Sequence, residues 1–248
     1  MNILGIIPAR FASSRFPGKP LVMINGKSMI ERVYQQASKS NSLFKVIVAT
    51  DDKRIFDHVA SFGGNVMMTS IQHRSGTERC NETLQQAINA GSMIDAVVNI
   101  QGDEPFIDPG QIELLTSVFD NKQVEIATLA KLITDSVEID DPNVVKVTFD
   151  KNQNALYFSR SPIPSVRGLL KSDWLKQSDF FKHIGIYAYR ADILAKIVRL
   201  KPTPLETAES LEQLRWLENG YQVRVEITQL DSTSVDTPED LLKFTNIA

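Results

Sequence analysis

Short apolar runs rich in β-branched residues alternate with longer segments of helical periodicity, and this alternation most constrains the fold of the chain. The runs "ILGII", "KVIVAT" and "AVVNI" each have the length and composition of a buried strand. The segments between them repeat apolar residues every three or four positions, as expected for helices that cover a sheet. Strands that alternate with helices are typical of a mainly parallel sheet, so the sequence predicts an α/β fold.

A different pattern occupies the middle of the chain. Between Val124 and Tyr189 the strand-like runs "VEIATLAKLI", "VVKVTF", "ALYFS" and "IGIYAY" follow one another closely. They are interrupted by "SPIPSVRGLLKSDWLKQSDFF", which predicts one long loop. We therefore expect a single domain over residues 1–248, with a smaller mixed-sheet lobe at about residues 124–190.

Composition and charge exclude several classes of protein. The chain has 248 residues, 27 Lys and Arg against 30 Asp and Glu, and a net charge of −3, which argues against binding of nucleic acid or membrane through bulk charge. No apolar run has the length of a membrane span or the layout of a signal peptide, so a cytoplasmic location is expected. Cys80 is expected to be a buried helix residue, and His58, His73 and His183 are too scattered for a zinc motif.

Several helix boundaries can be predicted from local signals. Ser28 and Ser75 are each followed by a glutamate three residues later, which is the pattern of a capping box. The pair Gly63-Gly64 is typical of a helix end, and Thr237-Pro238 with Asp240 is typical of the start of a final helix. Each prediction depends only on residues within one helical turn.

The stretch "PARFASSRFPGKPL" directly follows the first predicted strand and contains Arg10, Arg15 and Lys19. Ligands of open α/β sheets bind beyond the carboxyl ends of the strands, and fixed cations with loop N–H groups suit a polyphosphate. A solvated basic loop is the alternative. The stretch lacks the glycine pattern of a dinucleotide fold, and Leu21 stands where a P-loop at Gly26 would need its first glycine.

Two further segments, "VVNIQGDEPFI" and "VDTPEDL", contain carboxylates that are candidates for binding a ligand. In "VVNIQGDEPFI" a buried strand ends just before Asp103, and a carboxylate placed there can bind Mg²⁺. The preceding Gly102 would allow close approach of a ligand to the backbone. Alternatively, Asp103 and Glu104 form a turn before a helix that starts near Pro109, and Asp236 in "VDTPEDL" only begins a helix. Spacing alone does not show that Asp103 and Asp236 meet.

Taken together, these segments resemble the 3-deoxy-manno-octulosonate (Kdo) cytidylyltransferases, also called CMP-Kdo synthetases. The resemblance runs nearly end to end and implies a Rossmann-like nucleotide-binding sheet of the nucleotide-diphospho-sugar transferase type. It is carried by "IPARFASSRFPGKPL", "ATDD", "HRSGTER", "NIQGDEP", "NVVKV", "ALYFSRSPIP", "HIGIYAY", "PLETAESLEQLR" and "VDTPEDL".

The resemblance also implies roles for individual residues. Arg10, Lys19, Asp103 and Asp236 would be the catalytic residues, with Mg²⁺ bound by the two aspartates. CTP would be bound by Ala9, Arg10, Ser13, Ser14, Arg15, Lys19, Ser75, Gly76, Thr77 and Arg79. The acidic sugar would be surrounded by Gln101, Arg160, His183, Tyr187, Glu212 and Gln213.

Structural alternatives exist for several of the sugar-site residues. His183 and Tyr187 share one face of a strand and could be residues at the edge of the core. Glu212 and Arg215 could form an ordinary pair on one helix.

The function implied by the resemblance is transfer of CMP from CTP to Kdo, for incorporation of Kdo into lipopolysaccharide, by a homodimer. After Pro164 the chain reads "SVRGLLKSDW", which departs from the Trp-Asp-Arg-like run of other members in a loop near the sugar. Related acid sugars therefore stay open as substrates. Two functions from other classes are a glycosyltransferase that consumes a nucleotide sugar and a non-catalytic nucleotide-binding regulator.

Overall fold

The computed structural model describes residues 1–12 and 16–243, and it confirms the predicted α/β fold with a mainly parallel sheet. The strands are β1 (Ile3–Ala9), β2 (Met23–Ile24), β3 (Lys27–Ser28), β4 (Lys45–Thr50), β5 (Val66–Met68), β6 (Ala96–Asn99), β7 (Ile126–Leu132), β8 (Lys146–Phe149), β9 (Ala155–Ser159), β10 (Phe181–Arg190) and β11 (Val223–Ile227). The helices are α1 (Met29–Ala37), α2 (Lys53–Ser61), α3 (Gly76–Asn89), α4 (Pro109–Ser117), α5 (Val137–Asp140), α6 (Trp174–Gln177), α7 (Ala191–Ile197), α8 (Pro204–Glu209) and α9 (Glu212–Glu218). Short 3₁₀ helices occupy Lys19–Leu21, Val118–Asp120, Lys171–Asp173 and Pro238–Lys243.

The chain divides into two compact units. The first comprises Met1–Thr116, Ala188–Val198 and Ser232–Ala248, and the second comprises Ser117–Tyr187 and Arg199–Asp231. Each unit is therefore assembled from segments that are distant in sequence.

The first unit is built on four parallel strands in the order β6-β1-β4-β5. Ile6, Ile7, Val48 and Val98 on β1, β4 and β6 are fully buried. Burial of one such side chain contributes about 1.5–3 kcal/mol, so this core holds the strands in register. Because the strands are parallel, their carboxyl ends lie at the same edge of the sheet, as the ligand-binding rule for open sheets requires.

In the second unit β11 runs parallel to β7, which neighbours β10, while β8 is antiparallel to both β9 and β10. This mixture of directions agrees with the strand-rich pattern of the sequence. Strand β10 continues from this unit into the first, which contains its last three residues.

The local signals in the sequence predict the helix ends well. The Ser28 and Ser75 hydroxyls accept hydrogen bonds from the backbone N–H groups of Glu31 and Glu78, each at 3.2 Å. Helix α2 ends at Ser61, and Gly63 follows in the left-handed region at a φ of 78°. The helix predicted to start at Thr237-Pro238 is a 3₁₀ helix that begins at Pro238, and it is the last helix of the described residues.

The segment predicted as one long loop contains two short helical elements, the 3₁₀ helix Lys171–Asp173 and α6. Trp174 is buried and stacks on Phe180 with ring centroids 5.7 Å apart. Both rings belong to an apolar cluster with Ile133 and Ile139. The loop prediction was wrong here because burial of Trp174 holds a segment whose polar composition is typical of a loop.

Among the described residues, no helix is long and apolar enough to cross a membrane.

An ion pair joins α8 to α9 in the second unit. Arg215 Nε donates to Glu206 Oε2 at 2.7 Å, and Arg215 Nη2 donates to the other carboxylate oxygen. Glu206 Oε2 also accepts the backbone N–H of Thr203, the residue that precedes α8, at 3.3 Å. The side-chain hydrogen bond from Arg215 lowers the pKa of Glu206 below 4.5, so the pair is charged at neutral pH.

We predict that Glu206→Gln lowers the free energy of unfolding by about 1–2 kcal/mol at pH 7, because the variant loses a bidentate, mostly buried ion pair. The pKa of Glu206 is lowered by folding, so its contribution is complete above pH 4.5 and is lost as the pH falls further. Urea unfolding of both proteins between pH 7 and pH 3 measures the difference.

Asp57→Asn is the matched control, because the Asp57–Lys53 pair is exposed. Its effect should stay within about 0.5 kcal/mol. A Glu206→Gln effect that does not decline below pH 4.5 would contradict the prediction.

Candidate functional site

A cavity of about 260 Å³ lies in the first unit, beyond the carboxyl ends of β1 and β6 and beside the start of α3. This is the edge of the sheet at which the sequence predicts a ligand. The predicted site residues that line it are Ala9, Arg10, Lys19, Ser75, Gly76, Arg79, Gln101, Asp103 and Asp236. The fold therefore brings together residues from four separate sequence motifs.

The other predicted CTP-site residues are placed differently. Thr77 lies in the first turn of α3 and is buried. Ser13, Ser14 and Arg15 lie outside the described residues, so their predicted roles stay predictions.

Lys19 connects the two predicted metal ligands. Its Nζ lies 2.7 Å from Asp103 Oδ2 and 3.2 Å from Asp236 Oδ1, so these two oxygens are within about 6 Å of each other. The Lys19 side chain is only 12 % exposed, and this burial strengthens both ion pairs. The two carboxylates, which sequence spacing could not relate, meet at one cation.

This arrangement fits a divalent cation. Two carboxylate oxygens converge on one position that a positive charge already occupies, and hard oxygen donors are the ligands of Mg²⁺. No group of three or more His, Cys, Asp or Glu suited to a metal occurs in the described part of the chain. Mg²⁺ needs no such group, since it is commonly held by one or two carboxylates together with water and substrate phosphates.

The chain around Gly102 explains how Asp236 reaches the site. A Cβ atom on Gly102 would lie 2.9 Å from the carbonyl oxygen of Pro8. The glycine is therefore needed for close approach of the end of β1, and it also lines the cavity, so the predicted approach of a ligand stays a prediction. The carbonyl oxygen of Asp103 accepts the backbone N–H of Val235 at 2.9 Å, and this hydrogen bond places Asp236 beside Asp103.

Glu104, the neighbour of Asp103, has a structural role. Its side chain is buried, and burial raises its pKa to about 7, assisted by the negative charge of Asp103. A hydrogen bond with Ser232 opposes this shift of the Glu104 pKa. Glu104 thus belongs to the turn that precedes α4 at Pro109, which agrees with the turn-forming alternative.

The start of α3 forms another wall of the cavity. Ser75 caps the helix, and a Cβ on Gly76 would lie 3.2 Å from Pro8 Cγ, so this helix packs closely on the end of β1. Arg79 is buried, and its Nη2 donates to Asp51 Oδ2 at 2.6 Å. The ion pair with Asp51 therefore neutralises the charge of Arg79 and fixes the position of its guanidinium.

Two polar residues of the cavity were missed by sequence reasoning, His73 and Arg74. His73 Nε2 lies 2.5 Å from Glu82 Oε2, and its Nδ1 lies 3.8 Å from Glu78 Oε2. Both missed residues belong to the quoted motif "HRSGTER", directly before the cap at Ser75. The signal that could have identified them is their position directly before a predicted helix N-terminus, because helix N-termini bind anions.

The predicted sugar residues other than Gln101 lie in the second unit. His183 and Tyr187 lie side by side on β10 with ring centroids 5.2 Å apart, and Tyr187 packs edge-on against Trp216 at 5.1 Å. His183 Nε2 and Thr128 Oγ1 are 2.9 Å apart. Burial lowers the pKa of His183 to about 3 and raises the pKa of Tyr187, so both rings are neutral at physiological pH.

Arg160 is held by main-chain groups of the second unit. Its Nε donates to the carbonyl oxygen of Glu209 and its Nη1 to that of Pro142, each at 2.9 Å. Glu212 is the first residue of α9, and Gln213, which follows it, is buried. Two carbonyl contacts fix the Arg160 guanidinium without neutralising its charge, as recognition of an anion would need.

The chain is similar in sequence to known cytidylyltransferases. A family model described as "Cytidylyltransferase" matches residues 4–227. The chain is 52 % identical to the 3-deoxy-manno-octulosonate cytidylyltransferase of Parabacteroides distasonis over 98 % of this chain and 96 % of the relative. It is 51 % identical to that of Cytophaga hutchinsonii over 99 % and 97 % of the two chains.

A solved structure of CMP:2-keto-3-deoxy-manno-octonic acid synthetase complexed with CTP is also similar. It aligns with a TM-score of 0.89 and 41 % identity, over 98 % of this chain and 96 % of that one. The similarity in sequence and the similarity in structure thus both extend over nearly the whole length of this chain. The chain belongs to the 3-deoxy-manno-octulosonate cytidylyltransferase family.

Proposed function

We propose that the protein transfers the cytidylyl group of CTP to the anomeric hydroxyl of Kdo, giving CMP-Kdo and pyrophosphate, the activation step for Kdo incorporation into lipopolysaccharide. The observation that carries the proposal is the cavity in which Arg10, Lys19, Asp103 and Asp236 meet beside the start of α3. Its relatives over nearly the full length have the name of this activity.

The reaction is a direct displacement. The sugar hydroxyl attacks the α-phosphorus, a new P–O bond forms, the bond to the β-phosphate breaks, and the hydroxyl proton is released. No covalent enzyme intermediate is needed. Both reactants are anionic, so alignment and charge neutralisation supply most of the catalysis.

The residues of the basic loop act on the leaving group. Arg10 is exposed at the cavity and binds the terminal phosphates, where fixed charge stabilises pyrophosphate as it departs. Lys19 also binds the triphosphate, and it offsets the charge of Asp103 and Asp236, which would otherwise repel the nucleotide. Ser75 and Gly76 place the positive end of α3 toward the nucleotide.

Mg²⁺ is the proposed cofactor, with Asp103 and Asp236 as its ligands. When bound, it would polarise the α-phosphate and lower the pKa of the attacking hydroxyl. The acidic sugar is assigned to Gln101, Arg160, His183, Tyr187, Glu212 and Gln213. We further propose a cytoplasmic homodimer, in keeping with the expectations from the sequence.

The test of this function measures pyrophosphate release with each nucleoside triphosphate in parallel, with Mg²⁺ and either Kdo, amino-substituted Kdo or sialic acid. We expect release only with CTP and Kdo. Release with another acid sugar would reassign the substrate. Absence of metal-dependent release with every sugar would instead favour a nucleotide-binding regulator or a glycosyltransferase.

We predict that Lys19→Met lowers kcat/KM for CTP by about two to three orders of magnitude, since one charge pair at about 4 Å and an effective dielectric near 20 is worth about 4 kcal/mol. Steady-state kinetics measure the loss, and thermal unfolding checks that the variant is folded. Lys27→Met is the control, because Lys27 is exposed and hydrogen bonds to Gln35. Equal kinetics for the two variants would refute the role of Lys19.

We predict that Asp103→Asn keeps CTP affinity within about threefold but lowers kcat by at least about 100-fold, because the carboxylate acts on the reacting phosphate rather than on nucleotide binding. Titration of the free protein with MgCl₂, followed by its melting temperature, should show a weaker response in the variant. Asp108→Asn is the control, since Asp108 is exposed and caps α4 at Gly110. Near-normal kcat for Asp103→Asn would remove the metal assignment.

We predict that Arg160→Gln raises KM for Kdo about tenfold or more and leaves KM for CTP within about twofold, because a sugar carboxylate pairs best with a bidentate cation. Arg199→Gln, which alters an exposed arginine of the same unit, is the control. A rise in KM for CTP instead would place Arg160 on the nucleotide.

A further inference from the structure

Phe11 and Gly18 contact one another in the basic loop, which is the stretch "PARFASSRFPGKPL". The backbone N–H of Gly18 donates to the carbonyl oxygen of Phe11 at 3.0 Å. Gly18 has a φ of 73°, and a Cβ at this position would lie 3.1 Å from Cζ of the Phe11 ring. Gly18 is therefore required both for its backbone conformation and for close packing under this ring.

A side chain from outside the loop covers the same ring. The guanidinium carbon of Arg54, in the first turn of α2, lies 3.4 Å from the centroid of Phe11. This is a cation–π contact, and a planar guanidinium suits the face of an aromatic ring better than an ammonium does.

Asp52 fixes the guanidinium in this position. Arg54 Nε donates to Asp52 Oδ1 at 2.9 Å and Nη2 donates to Oδ2 at 2.7 Å, so the pair is bidentate. Hydrogen bonds from the Arg54 side chain lower the pKa of Asp52, which is therefore ionised at neutral pH. The Arg54 side chain is 61 % exposed, so the ion pair alone contributes little stability, and its specific effect is to orient Arg54.

We propose that Asp52, Arg54 and Phe11 form a clamp, with Arg54 as a positioning residue that fixes the separation of Arg10 and Lys19. Arg10 directly precedes Phe11, and Lys19 directly follows Gly18. Both cations are therefore attached to the two residues that the clamp holds together. The proposal rests on the proposed function in one respect, that these cations bind the triphosphate of CTP.

The clamp lowers the cost of binding. A loop held in its binding conformation loses less conformational freedom when its ligand arrives. The clamp residues do not line the cavity, so they act on a ligand only through the loop. The effect is specific to the nucleotide, because the loop is not assigned to the sugar. It also gives a role to the second aspartate of the motif "ATDD", whereas the first, Asp51, holds Arg79.

The test compares Arg54→Ala with Lys53→Ala. Lys53 is the adjacent residue, is 81 % exposed and pairs with Asp57 on its own helix, so the control removes the same charge without touching the loop. Hydrogen exchange at the Gly18 amide reports the closure of the loop, and KM values report its effect on each substrate. We expect Arg54→Ala to speed Gly18 exchange and raise KM for CTP, each about tenfold, with KM for Kdo within about twofold. Lys53→Ala should match the wild type.

Asp52 also caps α2, because its Oδ1 accepts the backbone N–H of Arg54 at 2.9 Å. Four further variants separate the clamp from this helix capping. Asp52→Asn keeps an oxygen that can cap α2 but loses the ionic partner of Arg54, so it should reproduce the Arg54→Ala effect. Phe11→Leu should do the same, and Phe11→Tyr should restore wild-type behaviour because it keeps the ring face. The double variant Arg54→Ala/Phe11→Leu should be no worse than either single change, as expected for one shared interaction.

Unchanged Gly18 exchange in both Arg54→Ala and Asp52→Asn would overturn the clamp, whatever the kinetics. Faster exchange with unchanged KM for CTP would also overturn its proposed effect on Arg10 and Lys19. A wild-type protein without CTP-dependent turnover would refute the proposed function instead, and Gly18 exchange would then decide on the clamp by itself.

Discussion

The contact of one ammonium group with two carboxylates is the interaction on which the candidate site depends. Lys19 lies within hydrogen-bonding distance of Asp103 and Asp236, and these three residues come from three distant segments. Two carboxylates so close together repel one another, and a nearby cation offsets this cost. The same convergence of negative charge that requires Lys19 also makes the position suitable for a divalent cation.

The surrounding backbone makes this contact possible. Gly102 lets the end of β6 approach the carbonyl of Pro8, and the N–H of Val235 binds the carbonyl of Asp103. Each is a main-chain constraint, so the acidic pair is positioned by the fold and not by flexible side chains alone. A main-chain constraint also acts in the basic loop, where the backbone N–H of Gly18 donates to the carbonyl oxygen of Phe11. Such preorganisation is how a site for two anionic reactants avoids rearrangement during the reaction.

Much of the fold was predictable because its signals are local. The strands β1, β4 and β6 follow from short β-branched runs, and the caps at Ser28 and Ser75 follow from glutamates three residues later. The loop around Trp174 was not predictable in this way, because its helical turns depend on burial against Phe180. The ion pair of Arg215 with Glu206 on the preceding helix shows the same limit, since no local pattern relates residues on two different helices.

The sequence by itself determined the class of the fold, the composition of the basic loop and the family to which the chain belongs. These depend on periodicity, on charge and on motifs that are each read within a few residues. The tertiary structure decided that Lys19 meets Asp236, 217 positions away, and that Arg54 covers Phe11. Such contacts depend on which strands are neighbours and on the directions in which their side chains point, and no spacing along the chain specifies either.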